Sequence, residues 1–236
     1  MLKIAERFYS VQGEGRYAGY PAYFVRLSGC NFLCNWLKKD GTRELCDTEA
    51  VWKNTKEELS VQELLEKIYA LKLPDNTHVI VTGGEPLLQN EQLKKFIATC
   101  KYFTELETSG SLKSSLYPSF THINWSPKLK SAGYGIEYYR KLGMVEFWKG
   151  YASVLSKMGK LDLKIVVATE DDVKEVRQWC EELRFPKNRV FLMPVSNTRK
   201  ELAENSEWVV EICKKEGFNY SSRLQLLIWD KTIIGK

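Results

Sequence analysis

Histidine is nearly missing from this chain: His78 and His122 are its two imidazoles among 236 residues, and both sit inside apolar runs. A Cys/His zinc site or a histidine-based acid–base pair therefore has little to draw on. No run of 18 apolar residues occurs, which leaves no segment that reads as a membrane span. The opening MLKIAERFYS carries Lys3, Glu6 and Arg7 and no apolar stretch of signal-peptide length, so a cytoplasmic protein is expected. Repeats, low-complexity tracts and Pro/Gly/Ser linkers are also lacking. Charge of one sign is not concentrated either: 35 basic residues against 30 acidic give a net charge of +5, with the lysines scattered. That balance permits an anionic ligand and gives no reason to expect a nucleic-acid partner.

What is present is a core. A hydrophobic content of 44% and a length of 236 residues suit a single larger domain. Short apolar runs recur: AYFVRLS (22–28), HVIVTG (78–83), YFTELET (102–108), HINWS (122–126), LKIVVA (163–168), RVFLMP (189–194) and LQLLIW (224–229). Most are apolar on both faces, as strands of a parallel sheet covered on both sides are. Helical patterns lie between them. SVQELLEKIYAL opens with Ser60 and Glu63 at capping-box spacing, and TEDDVKEVRQWCEEL opens with Thr169 as N-cap. EWVVEICKKEGF ends in lysines and a Gly217 stop. The alternation predicts an α/β fold, an open parallel β/α barrel in one domain, with its site at the C-terminal ends of the strands.

On that edge, directly after AYFVRLS, stands GCNFLCNWLKKDGTRELCDT (29–48), which holds Cys30, Cys34 and Cys46, three of the six cysteines. In a reducing compartment, clustered thiols point to metal or redox chemistry rather than disulfides. A zinc site would need a distant fourth ligand. An iron–sulfur cluster held by three thiolates would leave one iron open for a substrate or cosubstrate. Cys100, Cys180 and Cys213 fall on apolar helix faces and read as small core hydrophobes.

The cysteine loop, followed after the next strand by TGGEPLLQ (82–89), resembles the radical S-adenosylmethionine (SAM) enzymes. Within that superfamily, FYSVQGEGRYAGYPAYFVRLSGCNFLC resembles the 7-carboxy-7-deazaguanine synthases. The likeness continues in order through CDT (46–48), ETSG (107–110), SPK (126–128), LMP (192–194) and RLQLLIW (223–229). One departure is plain. Relatives with the simplest pattern have C-x3-C-x2-C, whereas Leu37 stands at the third position here and Cys46 supplies the thiol. Residues 35–45 are thus read as an inserted excursion of the cluster loop, rich in turn formers.

The resemblance implies a radical SAM carbon–nitrogen lyase that converts 6-carboxy-5,6,7,8-tetrahydropterin to 7-carboxy-7-deazaguanine with loss of ammonia, on the route to queuosine-type deazapurines. It implies a [4Fe–4S] cluster on Cys30, Cys34 and Cys46, SAM as radical source, and Mg²⁺ held by Thr48. Substrate contacts would fall to Gln12, Gly13, Glu14, Arg26 and Thr82, with Arg26 gripping the carboxylate. SAM would meet Gly84, Glu85, Ser126, Pro127, Lys128, Met193, Pro194, Val195 and Ser196. The same likeness implies an external one-electron reductant of flavodoxin or ferredoxin type and a homodimer. Two other readings compete: a radical SAM enzyme of the activating type acting on a different substrate, and a zinc-stabilised nucleic-acid-binding module.

Overall fold

The computed structural model describes residues 1–38 and 40–230. One nine-stranded sheet organises the chain. Its strands are β1 (Leu2–Val11), β2 (Pro21–Leu27), β5 (Glu57–Leu59), β6 (His78–Gly83), β7 (Phe103–Thr108), β8 (His122–Trp125), β9 (Leu161–Val167), β10 (Val190–Pro194) and β11 (Asn219–Tyr220). A separate two-stranded hairpin is formed by β3 (Asn35–Leu37) and β4 (Arg43–Leu45). The order across the sheet is β11-β10-β9-β8-β7-β6-β2-β1-β5. From β2 to β11 every pairing is parallel, and β1 and β5 close one edge antiparallel. This is the expected α/β class with a mostly parallel, open sheet.

The helices are α1 (Glu49–Trp52), α2 (Val61–Ala70), α3 (Asn90–Thr99), α4 (Ile136–Lys141), α5 (Met144–Lys157), α6 (Glu170–Leu183), α7 (Arg199–Glu216) and α8 (Leu224–Trp229). Their ends follow local chemistry. Ser60 and Glu63 complete a capping box on α2, and Thr169 and Asp172 do so on α6. Gly217 stops α7 at φ 75°, the left-handed conformation a glycine adopts without steric cost. No helix among the described residues is long and apolar enough to cross a membrane.

The sequence reading needs one correction here. LQLLIW was expected as a strand, and it forms α8. An apolar run of six residues carries too little periodicity to separate a buried strand from a short helix. Of that run only Leu226 is buried, while Leu227 and Ile228 are exposed, which is a helical spacing rather than a strand fully covered on both faces. β1 and β5 were absent from the expected runs. Alternating polar residues along β1 mark an antiparallel edge, and the sequence pattern searched for was the parallel, fully covered kind.

The core lies between the sheet and the helices. Trp125 of β8 stacks on Trp148 of α5, with ring centroids 4.1 Å apart, and Trp179 of α6 meets Trp125 edge-on. These rings also place a turn. Trp125 Nε1 and the Tyr139 hydroxyl donate to the Ser109 carbonyl, and Trp148 Nε1 donates to that of Gly110. The segment leaving β7 is thereby fixed from below. At the opposite end of the barrel, the first residues of β6 and β8, His78 and His122, pack edge-on against Tyr17. Both histidines therefore stand at the end away from the cysteine loop.

Candidate active site

Side chains from β1, β2, β6, β7, β9 and β10 line one cavity of about 290 Å³. A flat sheet could not bring strands so far apart onto one volume; this one curls. The cavity opens at the C-terminal ends of the parallel strands, and its size is at the low end of pockets that enclose a small molecule.

The cysteine loop forms one wall, with Cys30, Cys34 and Cys46 all facing the cavity. The excursion 35–45 is a hairpin: Asn35 pairs with Leu45, Trp36 with Glu44 and Leu37 with Arg43. Asp40 accepts from the amide and hydroxyl of Thr42 at its tip. At its base the Cys46 amide donates to the Cys34 carbonyl. The hairpin thus returns Cys46 to the side of Cys34. Lys38 bridges Glu44 and Glu201, and Asn197 reaches Glu44, which pins the hairpin to the start of α7.

Burial pushes the Cys30 thiol up and that of Cys34 to about 12, while the ammonium of Lys128 draws both down. Thiolates are the ligating form, so a metal group bound here would displace the thiol protons. Among the described residues, no three His, Cys, Asp or Glu close around a single metal ion. The donor set offered is three thiols spread over one wall with a cation beside them. Three thiols suit an iron–sulfur cluster anchored at three corners better than a lone zinc, which takes four ligands.

The next wall comes from β6 and its turn. Gly84 passes so close to the loop that a Cβ there would overlap the Cys30 side chain and the Gly29 carbonyl. The Glu85 amide donates to that carbonyl at 3.0 Å. Two of the expected SAM contacts sit apart from the cavity lining. Glu85 does not line the cavity: its buried carboxylate accepts from Thr108 Oγ1, the Ser109 amide and hydroxyl, and the Leu87 amide. Burial raises its pKa while those donors lower it, and with them the side chain is committed to holding ETSG against GGEP. Pro127 is likewise buried behind the wall, whereas Ser126 and Lys128 reach the cavity. Lys128 Nζ donates to the Ser126 carbonyl and hydroxyl. Met193, Pro194, Val195 and Ser196 follow from β10 along the same rim.

Gln12, Gly13, Glu14, Arg26 and Thr82 all face the cavity. A register shift between Ile4 and Glu6 sets Glu6 opposite Arg26, whose Nε it accepts at 2.7 Å. Gln12 and Glu14 belong to a buried charge network whose extent the sequence reading missed. Lys164 of β9 joins Glu14 at 2.9 Å and Glu107 at 2.7 Å. Burial alone would raise Glu14; Lys164 and Arg223 instead hold it down at about 2. Burial raises Glu107, with Lys164 opposing and the negative charge of Glu14 adding to the rise. Gln12 and Asn124 each donate to both Glu105 and Glu107.

Lys164 gave no signal because it lies inside LKIVVA, where a single cation reads as a strand residue. Arg223, at the cap of α8, and Gln225, within it, both contact Glu14, at 3.2 and 2.8 Å. Phe8 and Phe24 stack at 4.9 Å on the cavity side of β1 and β2, a flat apolar surface also missed. Thr48 faces the cavity with its hydroxyl 3.3 Å from Cys46 Sγ. It precedes α1 without making a capping bond.

Comparison with known proteins agrees with this arrangement. Residues 11–117 match the family model described as a 4Fe-4S single cluster domain. The chain is 33% identical to the 7-carboxy-7-deazaguanine synthase of Pyrobaculum aerophilum, over 97% of this chain and 95% of that one. It is 31% identical to that of Hyperthermus butylicus, over 97% and 93%. Among solved structures it resembles QueE from Escherichia coli, with a TM-score of 0.60 and 23% identity over 94% of this chain and 93% of that one.

Proposed function

Since the chain belongs to the 7-carboxy-7-deazaguanine synthase family, we propose that its cavity is the site where 6-carboxy-5,6,7,8-tetrahydropterin becomes 7-carboxy-7-deazaguanine with loss of ammonia. The enzyme is a radical SAM lyase, and its cofactors are a [4Fe–4S] cluster and SAM. The observation that carries the site reading is the convergence of Cys30, Cys34 and Cys46 on the cavity that Glu14, Arg26 and Lys164 also line.

When bound, the cluster and SAM supply an adenosyl radical able to abstract hydrogen from carbon. The chain's own residues bind and orient. Cys30, Cys34 and Cys46 would hold the cluster, with Gly84 letting the β6 turn close against their loop. Ser126, Lys128 and the rim from Met193 to Ser196 would receive SAM. Glu85 would fix the turn that Ser109 begins, through its buried carboxylate.

A pterin is flat, edged with donors and acceptors, and in this case carries a carboxylate. The Phe8–Phe24 stack offers the flat face. Arg26, steadied by Glu6 through Nε, keeps its Nη groups for a carboxylate. Gln12, Glu14 and Thr82 would read the ring's edge. Glu107, whose two oxygens accept from Lys164, Gln12 and Asn124, would keep that edge of the cavity in place. The Thr48 hydroxyl would contribute one oxygen to Mg²⁺, a cation that keeps few protein ligands. A cytoplasmic setting, an external one-electron reductant and a homodimer belong to the same reading; the last two rest on the family resemblance.

Anaerobic reconstitution with iron and sulfide, then addition of SAM, Mg²⁺, a reductant and the carboxypterin, tests the proposal. Formation of 7-carboxy-7-deazaguanine is expected. Cleavage of SAM without that product would assign the chain to a different radical SAM reaction.

A further inference from the structure

We propose that Arg223 is a positioning residue: its buried guanidinium fixes Glu14 against the cluster loop through Asp47, and so sets the spacing between the substrate-reading acid and the metal wall. This rests on the reading of Glu14 as a substrate contact given above.

Arg223 is 8% exposed, yet it faces the cavity. Each of its three nitrogens is directed at a different acceptor group. Nε meets Glu14 Oε1 at 3.2 Å, and Nη2 meets Asp47 Oδ2 at 2.6 Å. Nη1 donates to the Ser196 carbonyl and lies 3.4 Å from Asn197 Oδ1. Three chain segments are thereby joined to the start of α8: the β1–β2 loop, the cysteine loop and the rim after β10. Their partners lie 209, 176 and 26–27 residues away in sequence. The backbone supports the same geometry, since the Leu224 amide donates to the Gly13 carbonyl at 2.9 Å.

The chemistry requires an arginine. A planar fork can point three N–H groups at three acceptors at once, whereas an ammonium on a flexible stem concentrates its charge at one. The charge balance is equally specific. Lys164 serves the other oxygen of Glu14, so Arg223 is the cation that Asp47 and Glu14 share. Without it, two acids at the cavity would lose their common counter-charge, a costly arrangement when they are shielded from water. Core stabilisation alone would not require the guanidinium to contact segments that each border the cavity.

The test compares the cluster-loaded parent enzyme with Arg223→Lys and Asp47→Asn. Carboxypterin binding is measured by equilibrium dialysis without SAM, followed by KM for each substrate and 5′-deoxyadenosine released per product. Loss of one buried charge-assisted contact is expected to weaken carboxypterin binding about ten- to hundredfold in Arg223→Lys. Iron content and unfolding midpoint should change far less, KM for SAM should rise less than carboxypterin binding weakens because only one of the three guanidinium nitrogens reaches the Ser196 rim, and abortive 5′-deoxyadenosine should rise. Asp47→Asn should shift the same quantities in the same direction. Parent-like carboxypterin binding and coupling in Arg223→Lys overturns the proposal. So does a uniform loss of SAM and pterin binding together with a lowered midpoint, which is the mark of a purely structural role. A parent enzyme that binds the pterin but forms no product overturns the functional reading, while the dialysis still decides the role of Arg223. A parent that does not bind it overturns both.

Discussion

The amide of Cys46 donates to the carbonyl of Cys34 at 3.2 Å, across a hairpin whose strands pair Asn35 with Leu45 and Leu37 with Arg43. The two cysteines are brought together because the residues between them fold back on themselves as a hairpin.

A direct consequence concerns Leu37, the position where a C-x3-C-x2-C spacing would put the third cysteine. It stands at the tip end of β3, opposite Arg43 and away from the hairpin's base. Cys46→Ser should lose most of its iron and visible absorption on reconstitution. Adding Leu37→Cys to it should not restore either. Iron analysis of the single and double variants decides this, and recovery of parent iron content in the double variant would show that the hairpin does not set the ligand.

Gly84 makes a second prediction. A methyl group there would meet Cys30 and the Gly29 carbonyl, both fixed by the strand end and the loop. Relieving the overlap requires backbone movement, at a cost of about 1–3 kcal/mol for an overpacked site. Gly84→Ala should therefore lower the unfolding free energy by that order and reduce iron loading as well, because the loop that moves carries Cys30, one of the thiols proposed to hold the cluster. Denaturant titration and iron analysis on the same preparation check both effects.

Much of this site was legible in the sequence, and the limits have physical causes. Residues contributing through backbone conformation or local spacing announced themselves: the cysteine loop, GGEP, and the caps Ser60 and Thr169. Contacts that depend on long-range closure did not. Lys164 and Arg223 meet Glu14 across separations of 150 and 209 residues, and neither carries a local pattern. Glu85 shows the converse. Its motif was visible, but only the fold reveals that Thr108 and Ser109 occupy its carboxylate. The strand expected at 224–229 failed because a short apolar run does not declare its period.

The Glu14 network predicts a dependence on acid. Its carboxyl lies near 2 in the folded protein, below the ordinary value of 4.5, because burial is outweighed by Lys164 and Arg223. A depressed folded pKa contributes stability that is fully present above the unfolded value and lost as pH falls through the folded one. That contribution should decline between about pH 4.5 and pH 2. Glu14→Gln should be markedly less stable than the parent at pH 7, and the gap should narrow across that window. Urea unfolding of both proteins at pH 7, 4 and 3 measures it; a gap that stays constant or widens toward acid would show that the carboxylate is not held by its cations.

Thr48 offers the sharpest test of the metal assignment outside the thiols. Its backbone precedes α1 at a position where a hydroxyl often caps, yet the side chain makes no capping bond and lies 3.3 Å from Cys46 Sγ. The hydroxyl is therefore held at the cavity wall without a helix-capping duty, next to the third thiol. If it supplies an oxygen to Mg²⁺, Thr48→Ala should raise the Mg²⁺ concentration for half-maximal turnover about tenfold. Iron content should stay at the parent level, because no thiol is touched. Thr48→Ser, which keeps the oxygen and removes a methyl, should remain close to the parent. Magnesium titrations of the three proteins at equal cluster loading separate the possibilities: an unchanged response in Thr48→Ala removes the residue from the metal's shell. A loss shared equally by Thr48→Ser would place its contribution in packing rather than in ligation.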